Sequence, residues 1–134
     1  MLRPMELNNP FLERLGVQLV DWRADRVELA LDAGEAHGNR TGIVQGGVVA
    51  TLMDAACGYA GLYAPPGQAL RHSTTITLTI NYVAPARLGE RLRIVGQVLG
   101  QGRKIYFSSA EARMPDGTLV ASAQGSFKRR SQAG

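Results

Sequence analysis

Hydrophobic and polar residues alternate with period two along most of this chain, and one long apolar run interrupts the alternation. Residues 17–22 read V-Q-L-V-D-W and residues 26–32 read R-V-E-L-A-L-D, with Arg23, Ala24 and Asp25 between them. That pattern predicts two antiparallel strands joined by a tight turn. Residues 75–83, T-I-T-L-T-I-N-Y-V, alternate strictly, which places Ile76, Leu78, Ile80 and Tyr82 on one face and Thr75, Thr77, Thr79 and Asn81 on the other. After a turn over 84–90, residues 91–99 form a further strand with Leu92, Ile94 and Val98 pointing one way. Residues 100–103 turn again, and residues 104–113 are rich in strand formers. Pro115-Asp116-Gly117 predicts a hairpin, because Asp-Gly tolerates the positive φ angles of tight turns, and a last strand covers 118–129.

The interruption lies over residues 39–63, where a polar, glycine-rich turn leads into a segment apolar almost all the way round. Such a segment predicts a helix over 46–63 that is buried on most faces, stopped by Pro65-Pro66-Gly67. Residues 32–41 read as the loop that leads to it, and Pro10 suits the first turn of a short helix over 11–15 within an N-terminal lead-in, 1–14. Two strands, one long helix and four more strands make an α+β fold. An antiparallel sheet of about six strands wraps the helix, since the sheet needs one covered face and the helix needs cover nearly all round. The 134 residues make one domain, 1–134, with 130–134 as a flexible tail.

Composition narrows the setting. Cys57 is the single cysteine, so the chain offers neither an internal disulfide nor a thiol pair for zinc, which fits a reducing, cytoplasmic environment. Residues 1–10 carry Arg3, Glu6 and two asparagines with no apolar run behind them, unlike a signal peptide. The helix is too short and too interrupted by glycine to span a bilayer, so no membrane association is expected. A net charge of +4 invites a nucleic-acid reading, but the only dense basic run is Lys128-Arg129-Arg130, and no aromatics interleave with the cations. A small anionic ligand is the better match. His37 has no second histidine near it and reads as a solvated loop residue, so no metal site is expected.

Asp54 is the one charge in the apolar helix. A carboxylate moved from water into such surroundings costs several kcal/mol unless it is paired, so it is either carefully satisfied or kept for chemistry. Gly46 and Gly47 open the helix. The first amides of a helix have no helical acceptor and favour negative charge, and glycine lets a ligand oxygen come close; the plain alternative is a tight turn packed on a strand.

Residues 37–60 resemble the signature of the hotdog-fold acyl-CoA thioesterases of the phenylacetate-degradation type. That motif is an Asn, a Gly three residues later, then His-Gly-Gly, and an Asp nine residues after the His. Asn39, Gly42, Gly46, Gly47 and Asp54 stand at those spacings, and I-N-Y-V-A-P-A-R-L-G-E over 80–90 is similar to the family's strand and turn after the helix. The likeness runs from 16 to 129. One departure is Gln45, which stands where the family most often has His and can neither act as a general base nor carry positive charge near neutral pH. Some hotdog thioesterases carry Gln there.

The resemblance implies hydrolysis of acyl-CoA thioesters, with a short-chain or aryl acyl group, to free acid and CoA. No cofactor is implied, since CoA is part of the substrate. It also implies a homodimer or homotetramer in which each active site joins the helix start of one chain to Asp54 of another, because Asp54 lies two turns too far along to reach a carbonyl at its own helix start. In that scheme the Gly46 amide polarises the carbonyl, Gly47 leaves room for it, and Asp54 is nucleophile or general base in apolar surroundings that sharpen its reactivity.

Thr75 either places a hydroxyl near the attacking water or is a plain strand former, and Asn39 and Gln45 orient water or carbonyl or else shape the turn. Tyr59, Leu62 and Tyr63 line the acyl pocket or belong to the core. Arg87, Arg103, Lys104, Lys128 and Arg129 meet the CoA phosphates or are ordinary solvated charges. Two other functions share the fold. A non-catalytic acyl-CoA binder or sensor leaves Asp54 unexplained, and an acyl-thioester hydratase or dehydratase lacks its well-placed His.

Overall fold

The structure, a computed structural model, describes residues 6–130; residues 131–134 of the expected 130–134 tail and the first five residues of the lead-in lie outside it. Helix α1 spans Pro10–Leu15, with Asn9 Oδ1 accepting from the Leu12 amide at 3.1 Å as its N-cap. Strands β1 (Gln18–Arg23) and β2 (Arg26–Asp32) follow, then a single 3₁₀ turn at Glu35–His37 and the long helix α2, Gly46–Ala60. Strands β3 (Ser73–Tyr82), β4 (Arg91–Gln101), β5 (Ile105–Arg113) and β6 (Leu119–Arg129) complete the chain. All pairings are antiparallel, in the order β1-β2-β4-β5-β6-β3. The α+β architecture is the hotdog fold.

The inward positions of the sheet, among them Leu29, Leu92, Ile94, Tyr106 and Phe127, form one core with Val49, Leu52, Met53, Ala56 and Cys57 of α2. Each large side chain fully buried there contributes roughly 1.5–3 kcal/mol. Gly96 sets how closely the two layers meet, because a Cβ on it would overlap the Ala56 carbonyl.

Two features of α2 differ from expectation. It ends at Ala60 and not at Tyr63, with Gly61 as the C-cap packed so closely on the Tyr106 ring that a Cβ there would overlap it. Arg129 donates to the Gly61 carbonyl from Nε at 3.2 Å and Nη2 at 3.1 Å, satisfying one of the orphan acceptors of the helix end. Leu62 and Tyr63 therefore lie beyond the helix, ahead of the prolines. The other is that α2, covered on most faces as expected, leaves one face open. Gly47 and Asp54 are exposed and Ala50, Thr51 and Gly58 half-buried, a stripe of small residues at helical spacing around one acid.

Strand β3 is a sheet edge, paired with β6 and with no partner on its other side among the described residues. Its alternation is also not strict. Thr75 pairs with Phe127 and Thr77 with Ser126, so Ile76 is an extra, bulged residue. The bulge turns Thr75 onto the helix-facing side that Leu78 and Ile80 occupy, opposite to the expected side, and leaves Ile76 54% exposed.

Candidate active site

Asp54 projects from the exposed stripe of α2, and the bulge in β3 brings Thr75 to it: Thr75 Oγ1 donates to Asp54 Oδ1 at 2.8 Å. The apolar enclosure expected around Asp54 is absent, because its own chain leaves it exposed. Both residues line a cleft of about 380 Å³ that also takes in Phe11, Trp22, Tyr59 and His72. Tyr59 is fixed there from three sides. Its hydroxyl accepts from Asn9 Nδ2 at 3.0 Å, its carbonyl accepts from Trp22 Nε1 at 2.9 Å, and its ring meets that of Trp22 edge to face with centroids 5.6 Å apart. Tyr63 also meets Trp22 but lines a separate, smaller hollow of about 140 Å³ with Pro65 and Pro66. Phe11 and Trp22 escape a motif-based reading, because neither belongs to the helix that carries the motif; only their being aromatic outside the core marks them.

Behind Asp54, Cys57 is fully buried, and burial, followed by the charge of Asp54, pushes its thiol up to about 12. Tyr106 is likewise raised by burial, and its hydroxyl donates to the Gly58 carbonyl at 2.6 Å.

The helix start is a second locus. Gln45 is the residue before the helix, with φ −58° and ψ 136°, and its exposed side chain makes no cap bond. Its amide is held by the His37 carbonyl at 2.8 Å and that of Val44 by Ala86 at 2.9 Å, which fixes where Gly46 begins the helix. Tyr82 Oη donates to the Gly46 carbonyl at 2.8 Å. The hydroxyl ending an alternating strand was the only sequence signal for that contact.

Asn39 Oδ1 accepts from the Thr41 and Ile43 amides, at 2.9 and 3.2 Å, so its oxygen shapes the turn, while its Nδ2 has no partner among the described residues. Asn39, Gly46 and Tyr82 share a hollow of about 340 Å³ that contains neither Asp54 nor Thr75. His37 is not a solvated loop residue. Its Nδ1 accepts from the Gly34 amide at 2.9 Å and its Nε2 contacts the Leu15 carbonyl at 2.7 Å, a pairing that fits the neutral Nε2–H tautomer and ties the loop to α1.

The cations divide. Arg87 is ion-paired with Glu90 at 3.3 Å and Asp116 at 3.4 Å. Arg129 has its donors engaged by Gly61, Gly102 and Gln101 and its guanidinium carbon 4.6 Å from the Tyr106 ring centroid, a structural clamp whose burial lowers its affinity for a proton. It is not available as a solvated phosphate ligand. Arg103, Lys104 and Lys128 are exposed without partners among the described residues. No helix among those residues is long and apolar enough to cross a membrane.

A curled antiparallel sheet around one helix, with polar groups at the start and middle of that helix, defines a hotdog protein. Residues 41–121 match the family described as the thioesterase superfamily. The Pseudomonas aeruginosa protein PA0474 is 34% identical over 128 residues, 93% of this chain and 92% of that one. Human acyl-coenzyme A thioesterase 13 is 31% identical over 106 residues, 78% of this chain and 74% of that one. The PaaI protein from the phenylacetic acid degradation operon of Escherichia coli superposes with a TM-score of 0.82 over 92% of this chain and 86% of that one; at 21% identity this is a likeness of fold. The chain belongs to the thioesterase superfamily, as a thioester hydrolase on the hotdog fold.

Proposed function

We propose that this protein hydrolyses acyl-CoA thioesters to free acid and CoA in a site that two copies of the chain build together. The observation that carries the reading is the split between the two hollows: Asp54 and Thr75 line one, Gly46 and Asn39 the other. Along the helix axis they are about 12 Å apart, at a rise of about 1.5 Å per residue, too far to serve one carbonyl. A second copy related by a two-fold axis would bring its helix start to this chain's Asp54, and the reverse.

Two surfaces support that arrangement. The exposed stripe of α2 is built of Gly47, Ala50, Thr51 and Gly58, small enough for another helix to approach closely. Strand β3 is a ten-residue edge with no charged residue and no proline, and Ile76 and Tyr82 on it are more than half exposed. An edge so unguarded is a template for pairing with another chain.

In the joint site the substrate carbonyl accepts from the Gly46 amide, whose position at the positive end of the helix stabilises the oxyanion. The free Nδ2 of Asn39 and the unbonded Gln45 side chain orient the carbonyl or the water, and Gly47 keeps the approach open. Asp54, steered by Thr75, takes a proton from the water that attacks the carbonyl carbon and returns it to sulfur as the C–S bond breaks, so that CoA leaves as the thiol. If Asp54 attacks the carbon itself, CoA leaves as the thiolate and takes a proton from water, and a second water hydrolyses the mixed anhydride to the free acid. Phe11, Trp22 and Tyr59 beside Asp54 suit a short-chain or aryl acyl group, in a cleft of ordinary ligand size at about 380 Å³.

Release of free thiol from a series of acyl-CoAs tests the reading. Asp54→Asn and Asp54→Ala should lower turnover about a hundredfold or more, the usual worth of a positioned base. A wild type that binds acyl-CoA and never turns it over, or variants with full activity, would overturn it.

A further inference from the structure

Trp22 stands where two hollows meet. It lines both the cleft of about 380 Å³ that holds Asp54 and the hollow of about 140 Å³ beside Tyr63, Pro65 and Pro66. Asn8 and Leu70 are the other residues common to the two, and neither has the breadth of an indole. The aromatic rings fall in the same order. Trp22 meets Tyr59, which lines the cleft, with centroids 5.6 Å apart, and Tyr63, which lines the hollow, at 6.0 Å. The indole is therefore a partition.

A bulge brings it there. Val20 is an extra residue in β1, so that Leu19 pairs with Leu29 and Trp22 with Val27; both partners are fully buried, and Trp22 comes to the inner face of the sheet. Its Nε1 donates to the Tyr59 carbonyl at 2.9 Å, and its ring stands at 89° to that of Tyr59 and at 72° to that of Tyr63. One hydrogen bond and two edge-to-face contacts make it a fixed wall. Tyr59 follows Asp54 by five residues, about 7.5 Å along the helix axis at a rise of about 1.5 Å per residue, so the wall stands only a short way from the carboxylate.

We propose that Trp22 sets the length of the acyl group: the chain or ring runs from Asp54 along Tyr59 and ends against the indole, and the hollow beyond stays outside the acyl pocket. The assignment rests on the acyl-CoA reading above and adds to it the side chain that imposes the limit. Tyr63, Ala64, Pro65 and Pro66 give the hollow an apolar side, so a longer chain would continue there if the ring at position 22 were smaller.

The test is kcat/KM for a series of straight-chain acyl-CoAs. In wild type it should rise with chain length and fall once the chain meets the indole. Trp22→Ala should move the optimum to longer chains, with a gain of about fourfold for each methylene that enters the opened hollow, the worth of burying one CH₂. Ala64→Phe fills the hollow. Alone it should leave the wild-type profile unchanged, and combined with Trp22→Ala it should restore the shorter limit. Trp22→Ala and the double variant share the same loss of packing around the indole, so a merely structural role would not separate them. Should Trp22→Ala fail to fold, Trp22→Phe keeps a ring in place and should still raise the ratio of longer-chain to short-chain kcat/KM about fourfold. The same profile in wild type and the folded Trp22 variants, or one that Ala64→Phe does not pull back, would overturn the wall while leaving the hydrolase reading in place. If no acyl-CoA is hydrolysed the hydrolase reading fails, and the wall is still tested by calorimetric binding of S-alkyl-CoA thioethers. Their affinity should go on rising with chain length in Trp22→Ala after it has levelled off in wild type, and parallel curves would contradict the proposal.

Discussion

The hydrogen bond from Thr75 to Asp54 joins an acid from the helix to a hydroxyl from a strand 21 residues later, and it forms only because Ile76 bulges out of register. Asp54 was legible in the sequence as the single charge in an apolar run. Its exposure was not, because glycine, alanine and threonine read as interior residues whether they face a core or await a neighbour. Cys57, three residues beyond Asp54, faces the true core and yields a prediction of pH dependence. Its thiol is held up to about 12 against an ordinary value of 9.0, chiefly by burial. Above pH 9 the unfolded chain gives up this proton while the folded chain keeps it, so stability falls as pH rises, by about 1.4 kcal/mol per pH unit from this group alone until the folded thiol itself ionises. Tyr106, also raised by burial, acts in the same direction. Urea unfolding midpoints measured between pH 9 and 11 should therefore drop more steeply for wild type than for Cys57→Ala. Parallel slopes would show that the thiol is not insulated.

At the level of elements, the six strands and the long helix followed from periodicity, because a half-covered sheet must alternate and a helix against its concave face must not. The bulge in β3 was invisible, since the threonines on both sides of it suit either face and no glycine marks the spot. The end of α2 was placed late because proline signals where a helix cannot continue, whereas the helix stops earlier, at a glycine C-cap, Gly61, that packs against the Tyr106 ring. The same close packing fixes the helix on β4. Gly96→Ala must push the Ala56 carbonyl away, and it should cost about 2 kcal/mol or more, as overpacked cores do, with Tm falling by several degrees. Gly100→Ala, in the same strand with open space around its Cα, is the matched control and should cost less. Equal thermal stability of the two variants would mean that α2 does not rest on the sheet as described.

At the scale of the whole molecule the proposed reading requires a second copy, which would bring the two separate hollows together as one site. The motif spacing carried both halves, Asn39 to Gly47 and Asp54, but spacing cannot tell whether residues on one helix meet the same substrate. The unguarded β3 edge and the small-residue stripe of α2 lie on the surfaces such a copy would cover.

Complementation between two inactive variants tests this most directly. Asp54→Asn removes the acid. Gly46→Pro removes the amide while keeping the helix, since proline suits the first helical position, Gln45 already has the extended geometry favoured before proline, and a Cβ at 46 meets Tyr82 at an ordinary 3.8 Å. Each variant alone should be inactive in thiol release. Co-expressed with different tags and purified through both, the mixed dimer should regain about half the activity of wild type, because one of its two sites has both groups intact. A mixed dimer as inactive as its parents, or full activity in a wild-type monomer, would contradict the shared site.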